Sequence, residues 1–237
     1  MANPNPSGCR LAGSTQLMSR RFKDRRDAGL ALAAGLRAYA DDPSVIVLGL
    51  PRGGVPVAYE VATALHAPMD VFVVRKLGVP GHRELAMGAI ASGGVRVLNQ
   101  DVIDALRIAP GLVDAVAAEE QREVERQQRA YRGDVPFPEL AGRTVIVVDD
   151  GLATGSTMRA AVKALRRSDP ARIVVAAPVA AAETCRILGG EADQVVCPNI
   201  PDDFHAVSLW YEEFSQTSDQ EVRDLLESAA SYVAPVR

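Results

Sequence analysis

The sequence predicts a doubly wound α/β fold, and three features point to it. Strand-length apolar runs recur: VIVLGL at 45–50, VFVV at 71–74, VIVV at 145–148, RIVVAAPVA at 172–180 and QVVC at 194–197. Segments with helical spacing lie between most of them. The runs do not alternate with polar residues, so both faces of each strand are covered, as in a mostly parallel sheet flanked by helices.

RFKDRRDAGLALAAGLRAYA reads as the first helix, with Gly29, Leu32, Ala33, Leu36 and Tyr39 on one face. Pro43 separates it from the first strand. After PRGG (51–54), VPVAYEVATALH resumes at helical spacing through Val57, Val61 and Leu65. The second strand, 71–74, leads into RKLGVPGHRELAMG (75–88), read as a long polar loop because of its Gly and Pro residues. AIASGGVRVLN (89–99) holds two short strands about the Gly93–Gly94 turn.

Residues 101–131 form a helical insertion whose apolar stripe thins after Val116, with Glu123 and Arg126 among its surface pairs. It is expected to cover the sheet edge, with a dimer contact as the alternative. The linker GDVPFPELAGR leads to the third strand, 145–150. The helix after it places Met158, Ala161, Val162 and Leu165 on one face and Arg159, Lys163 and Arg166 on the other. Residues 1–20, rich in Pro, Asn, Ser and Gly, read as a flexible leader, and 21–237 as one domain with hood elements in 195–237.

The composition is that of an ordinary globular chain: 237 residues, 48% hydrophobic and 24% charged. A net charge of −4 argues against nonspecific nucleic-acid binding. The three cysteines form no CxxC pair, so a reducing, cytoplasmic setting is expected without a disulfide framework or structural zinc. No apolar run approaches the length of a membrane span.

Chemistry concentrates in VIVVDDGLATGST (145–157). Two adjacent carboxylates, Asp149 and Asp150, repel each other unless hydroxyl donors or a cation meet them. Gly151 lets the chain turn so that both can serve one ligand. Ala153, Thr154, Gly155, Ser156 and Thr157 offer small side chains, hydroxyls and N–H groups at a helix start, where anions bind. Carboxylates that only cap the next helix are the alternative, but a cap needs one Asp and no run of small residues. There is neither a Walker A GK[ST] nor a GxGxxG.

This segment resembles the phosphoribosyl pyrophosphate (PRPP) signature of type I phosphoribosyltransferases. The resemblance implies that Asp149 and Asp150 bind the ribose hydroxyls and that Ala153–Thr157 bind the 5-phosphate. LPRGG is similar to the family's pyrophosphate loop, which implies pyrophosphate contacts from Arg52, Gly53 and Gly54 and a cis peptide before Arg52. RKLGVPGHRE looks like its flexible loop, with Arg75 and Lys76 as pyrophosphate cations and RKxGxP similar to the adenine-type branch. Arg52, Arg75, Lys76 and Glu84 are the catalytic candidates. Glu84 is the general-base candidate, although an acceptor with a free lone pair needs none, and His82 reads as a solvated loop residue. Val79 departs from the adenine-type branch, and Ala153 lacks the Asp of the hypoxanthine–guanine branch. Phe204, Trp210 and Tyr211 are base-stacking candidates in the hood. The implied cofactor is Mg²⁺, held mainly by PRPP with no dedicated protein ligands. The implied reaction is transfer from PRPP to a nitrogenous, purine-like acceptor in a homodimer. A noncatalytic PRPP-sensing regulator, with RRFKDRR (20–26) as its basic patch, is the rival, and hydrolytic chemistry on a phosphorylated sugar is a third reading.

Overall fold

A computed structural model describes residues 21–80 and 82–232, so the expected leader lies outside the described residues. The central sheet is parallel and five-stranded. Its strands are β1 (Val45–Gly49), β2 (Met69–Val71), β6 (Thr144–Val148), β7 (Arg172–Ala176) and β8 (Gln194–Val196), in the order β2-β1-β6-β7-β8. Between β1 and β6 lies a second sheet of three antiparallel strands, β3 (Val74–Val79), β4 (His82–Ala91) and β5 (Val95–Leu98).

Strand alternation divides the central sheet between two cores. Val45 and Val47 of β1 and Ile146 and Val148 of β6 face α1 (Arg25–Gly35) and α2 (Gly54–Leu65). Ile46, Leu48, Val145 and Val147 face α5 (Ser156–Leu165) and α6 (Ala182–Gly189). Helices thus cover both faces, as the apolar runs require. On α1 the expected stripe is buried at Gly29, Leu32 and Ala33. On α5 the buried residues are Met158, Ala161, Val162, Ala164 and Leu165.

A third core forms beneath the second sheet. Leu77, Val79, Met87 and Ile90 pack with Ile103 of α3 (Gln100–Ala105), with Val113, Ala117, Val124 and Tyr131 of α4 (Pro110–Arg132), and with Val222 of α7 (Asp219–Tyr232).

Three expectations are corrected here. The stretch 75–88 is a strand pair, not a loop, because Leu77, Val79 and Met87 recur on the covered face. Gly78 is accommodated by register shifts on either side of it. The apolar run 71–74 is the passage between sheets: Phe72 enters one core and Val73 another. The insertion covers a face of the second sheet rather than the edge of the first. Val222 of α7 packs in the same core as Val124 and Tyr131 of α4.

Replacing Leu165, fully buried on α5, by Ala should cost about 3 kcal/mol in urea unfolding through lost burial and the cavity left behind. The same change at exposed Lys163 on the opposite face should stay within about 0.5 kcal/mol.

Candidate active site

β1 and β6 are neighbours in register, from Val45↔Thr144 to Gly49↔Val148, so the loops at their carboxyl ends emerge side by side. In an open parallel sheet that is where ligands bind. The first loop is held by the Leu50 amide donating to Val148 O (2.8 Å) and the Gly54 amide donating to Leu50 O (3.0 Å). The Pro51–Arg52 peptide is cis. Gly53 lies against the second loop so closely that a Cβ there would sit 2.0 Å from Asp150 Oδ2. Only glycine fits that position. The glycines were expected for ligand approach, and the packing of one loop on the other is a second reason for them.

Asp149 still bonds the sheet through its amide to Ala176 O (3.3 Å). Its carboxylate then accepts the Asp150 amide at 2.9 Å, which turns the chain as anticipated. Asp150 Oδ2 accepts from Arg25 at the start of α1, from Nε at 2.9 Å and Nη2 at 2.8 Å, with the two side chains only 12% and 14% exposed. Arg25 also donates to Ser215 O (2.6 Å) and lies 4.1 Å from the centroid of the Phe214 ring. The Asp150 carbonyl accepts from the Tyr211 hydroxyl at 2.5 Å. Burial, then the Asp150 charge beside it, holds the Asp149 carboxyl well above the usual carboxylate range. Burial raises Asp150 as well, against the opposing pull of Arg25.

Five residues beyond Asp150, Gly155 adopts φ +66° and caps α5, with Thr184 so near that a Cβ would meet its methyl at 2.5 Å. The Thr184 hydroxyl donates to Ala153 O, anchoring the loop from α6. Thr154, Ser156 and Thr157 remain exposed at the helix start, and Lys76 Nζ reaches Ser156 Oγ at 3.5 Å. The turn therefore presents hydroxyl acceptors at one end and an anion-binding helix N-terminus at the other.

The sequence model of the phosphoribosyl transferase domain matches residues 80–210. The chain belongs to that family. A Mycobacterium tuberculosis protein whose name assigns it as a phosphoribosyl transferase is 46% identical over 208 residues, covering 88% of this chain and 47% of that protein. The chain thus spans about half the length of this curated relative. The Bifunctional protein PyrR of a Roseiflexus species is 33% identical over 124 residues, covering 51% of this chain and 61% of that protein. Among solved structures, TT1426 from Thermus thermophilus is 40% identical with a TM-score of 0.79, covering 88% of this chain and 98% of that one.

Within this phosphoribosyl transferase domain, the expected cations do not converge. Arg75 and Lys76 are successive residues of β3, so they point to opposite faces. Lys76 goes to the Ser156 loop, whereas Arg75 forms an ion pair with Glu120 of α4. Arg52 Nη1 lies 3.7 Å from Asp219 Oδ1, at the first turn of α7. The side chain of Glu84 lies outside the described residues.

The aromatic candidates divide too. Tyr211 is 1% exposed, with ring centroids of Phe22 and Phe214 at 5.7 and 4.9 Å. Its faces are covered, so it is a packing residue and not a stacking platform. Phe204 and Trp210 are half-buried against the same cluster. Val207, absent from the expected set, lies directly over Gly151. Arg25 was also absent, having been read as part of the basic patch RRFKDRR. Extending the α1 stripe back from Leu32 and Ala28 by one turn does reach it, so helical spacing carried that signal.

Among the described residues no group of three or more His, Cys, Asp or Glu is arranged to hold a metal. Two carboxylates, one already on Arg25, are oxygen donors of the kind magnesium takes, but too few for a protein cage. They fit a magnesium ion that arrives with ligand oxygens.

A carboxyl raised in the folded state weakens the fold above its unfolded pKa, and that effect disappears below it. Asp149→Asn should therefore raise the melting temperature of the free protein at pH 7, with the gain fading as pH falls toward the ordinary value of 3.8. Asp150→Asn should raise it by less, because losing the Arg25 pairing offsets much of the relief from removing a buried charge. Calorimetry across pH 4–8 on both variants checks the pair.

Proposed function

We propose that the protein binds PRPP together with Mg²⁺ and transfers its 5-phosphoribosyl group to a nitrogenous base, with release of pyrophosphate. One observation carries the reading. A single turn after β6 sets an acid pair and a helix-capped anion loop a few residues apart, and the Arg52–Gly54 loop packs against the acid pair. That matches a phosphorylated pentose held by its diol and by its tail.

In this reading Asp149 and Asp150 accept hydrogen bonds from the ribose hydroxyls. Asp149 has one oxygen on the Asp150 amide and Asp150 has one on Arg25, which fixes both carboxylates in position. The amides and hydroxyls of Ala153–Thr157 take the 5-phosphate, with Lys76 beside them. Magnesium, when bound with PRPP, neutralises charge on the pyrophosphate oxygens. Arg52, Gly53 and Gly54 receive the departing pyrophosphate, Arg75 and Lys76 join them once they leave Glu120 and Ser156, and Glu84 is the proposed base where the acceptor needs one. Positive charge building at the ribose C1 is eased by the nearby carboxylates, and fixed orientation supplies much of the rate. Phe204 and Trp210, with Val207, are the proposed walls of the base site, and a purine-like acceptor is favoured. The reading carries with it a cytoplasmic homodimer, supported by the scattered spacing of the cysteines and by the family resemblance. No described helix is long and apolar enough to cross a membrane.

The regulator reading draws little from the structure. In RRFKDRR, Arg25 is engaged by Asp150, Arg21 donates to Tyr211 O (2.7 Å), and Arg26 lies 3.3 Å from Glu60. Three of its four described cations thus have partners within the fold.

With magnesium, saturating PRPP should raise the melting temperature by about 5 °C or more, as expected for ligand well above its Kd. A nucleobase panel should then reveal PRPP consumption with one acceptor. Gly53→Ala, which drives a methyl into Asp150, should weaken PRPP at least about tenfold and cost about 2 kcal/mol of stability. PRPP that leaves the melting temperature untouched would defeat the assignment; pyrophosphate release without an acceptor would redirect it to hydrolysis.

A further inference from the structure

The helical insertion sits where it can act on the pyrophosphate end of the site. Glu120 on α4 pairs with Arg75. Eleven residues on, Tyr131 of the same helix donates to Asp219 Oδ1 at 2.9 Å, the oxygen that also lies 3.7 Å from Arg52. Burial and the bond to Asp219 push the Tyr131 phenol up to about 12, so it remains a donor at neutral pH. The two arginines are thus tied at points about 16 Å apart along α4, at 1.5 Å rise per residue. A cavity of about 690–720 Å³ lies on either side of Lys76. The larger, 720 Å³, is bounded by Arg75, Lys76, Val79, Thr157, Glu119 and Glu120, so the carboxylate that holds Arg75 also lines the space beside the phosphate loop.

We propose that Glu120, with Asp219 held by Tyr131, is a positioning residue that sets the affinity for the pyrophosphate end of the ligand. This rests on the PRPP reading above. In the free protein the two carboxylates stand in for ligand anions on Arg75 and Arg52. A diphosphate engages Arg75 only by displacing Glu120, and Arg52 only by drawing it off Asp219. The contest is charge against charge: a magnesium-bound diphosphate offers more oxygens than a single carboxylate, and the carboxylate has the advantage of being tethered. The insertion therefore makes pyrophosphate-end binding weaker than bare arginines would give, and the ribose phosphate end is untouched. Product release benefits, since the tethered carboxylates recapture the arginines as pyrophosphate leaves. Side-chain exposures of 38% for Arg75 and 21% for Glu120 leave the exchange sterically open.

The test is calorimetric titration of the full chain with magnesium pyrophosphate and, separately, ribose 5-phosphate. Glu120→Gln should tighten pyrophosphate about tenfold, the scale of one released charge pair, and change ribose 5-phosphate by less than about twofold. In the Arg75→Ala background the same change should have no effect on pyrophosphate, because the cation it frees is gone. Asp219→Asn should act in the same direction through Arg52. Glu120→Gln decides alone if that variant fails to fold. Unchanged or weaker pyrophosphate binding in Glu120→Gln, or equal tightening of both ligands, overturns the proposal even where the wild type binds PRPP. A wild type that binds neither ribose 5-phosphate nor PRPP defeats the underlying reading instead, and this one with it.

Discussion

The burial of two adjacent carboxylates at the end of β6 is the constraint around which the rest of the site is arranged. Like charges in a partly desolvated turn are unfavourable, and each element near them reduces that cost or is shaped by it. Arg25 comes from the opening turn of α1, Tyr211 and Ser215 from the segment before α7, and the Asp150 amide from the turn itself. Gly53 packs against Asp150 Oδ2. Three parts of the chain far apart in sequence meet at one residue, Asp150. The repulsion left over makes the fold less stable at this point than an uncharged turn would, a cost the proposed sugar phosphate would relieve.

A second constraint is strand alternation in β3. Arg75 and Lys76 look equivalent as neighbours, yet a pleated strand gives them to different neighbours: one to α4, the other to the phosphate loop. The second sheet thereby acts as a partition. Lys76 faces the start of α5, and Arg75 faces the insertion. That division gives the insertion an electrostatic connection to the site as well as a packing role under β3 and β4.

How far the chain could be read follows from the range of the interactions involved. The central strands were readable because burial on both faces demands unbroken apolar runs, and Val45–Gly49 and Thr144–Val148 are such runs. The α5 face was readable because Met158, Ala161, Val162 and Leu165 repeat at helical spacing. The β3–β4 pair was missed because its inward residues, Leu77, Val79 and Met87, are diluted by Gly and Pro that local rules assign to loops. The α7 contacts were missed because a helix's neighbours are not written in its own period.

The sequence alone determined the doubly wound class, the turn after β6, the order of the loops and the residue types able to meet a sugar phosphate. All of these depend on contacts within a dozen residues. Tertiary structure alone decided that Arg25 neutralises Asp150, that Tyr211 is packed away rather than displayed, and that Arg75 and Arg52 rest on Glu120 and Asp219. Those outcomes join residues far apart in the chain, 167 positions in the case of Arg52 and Asp219. A charge's partner over such a span is chosen by which surfaces the fold brings together, and the local pattern around the charge carries almost no trace of that choice.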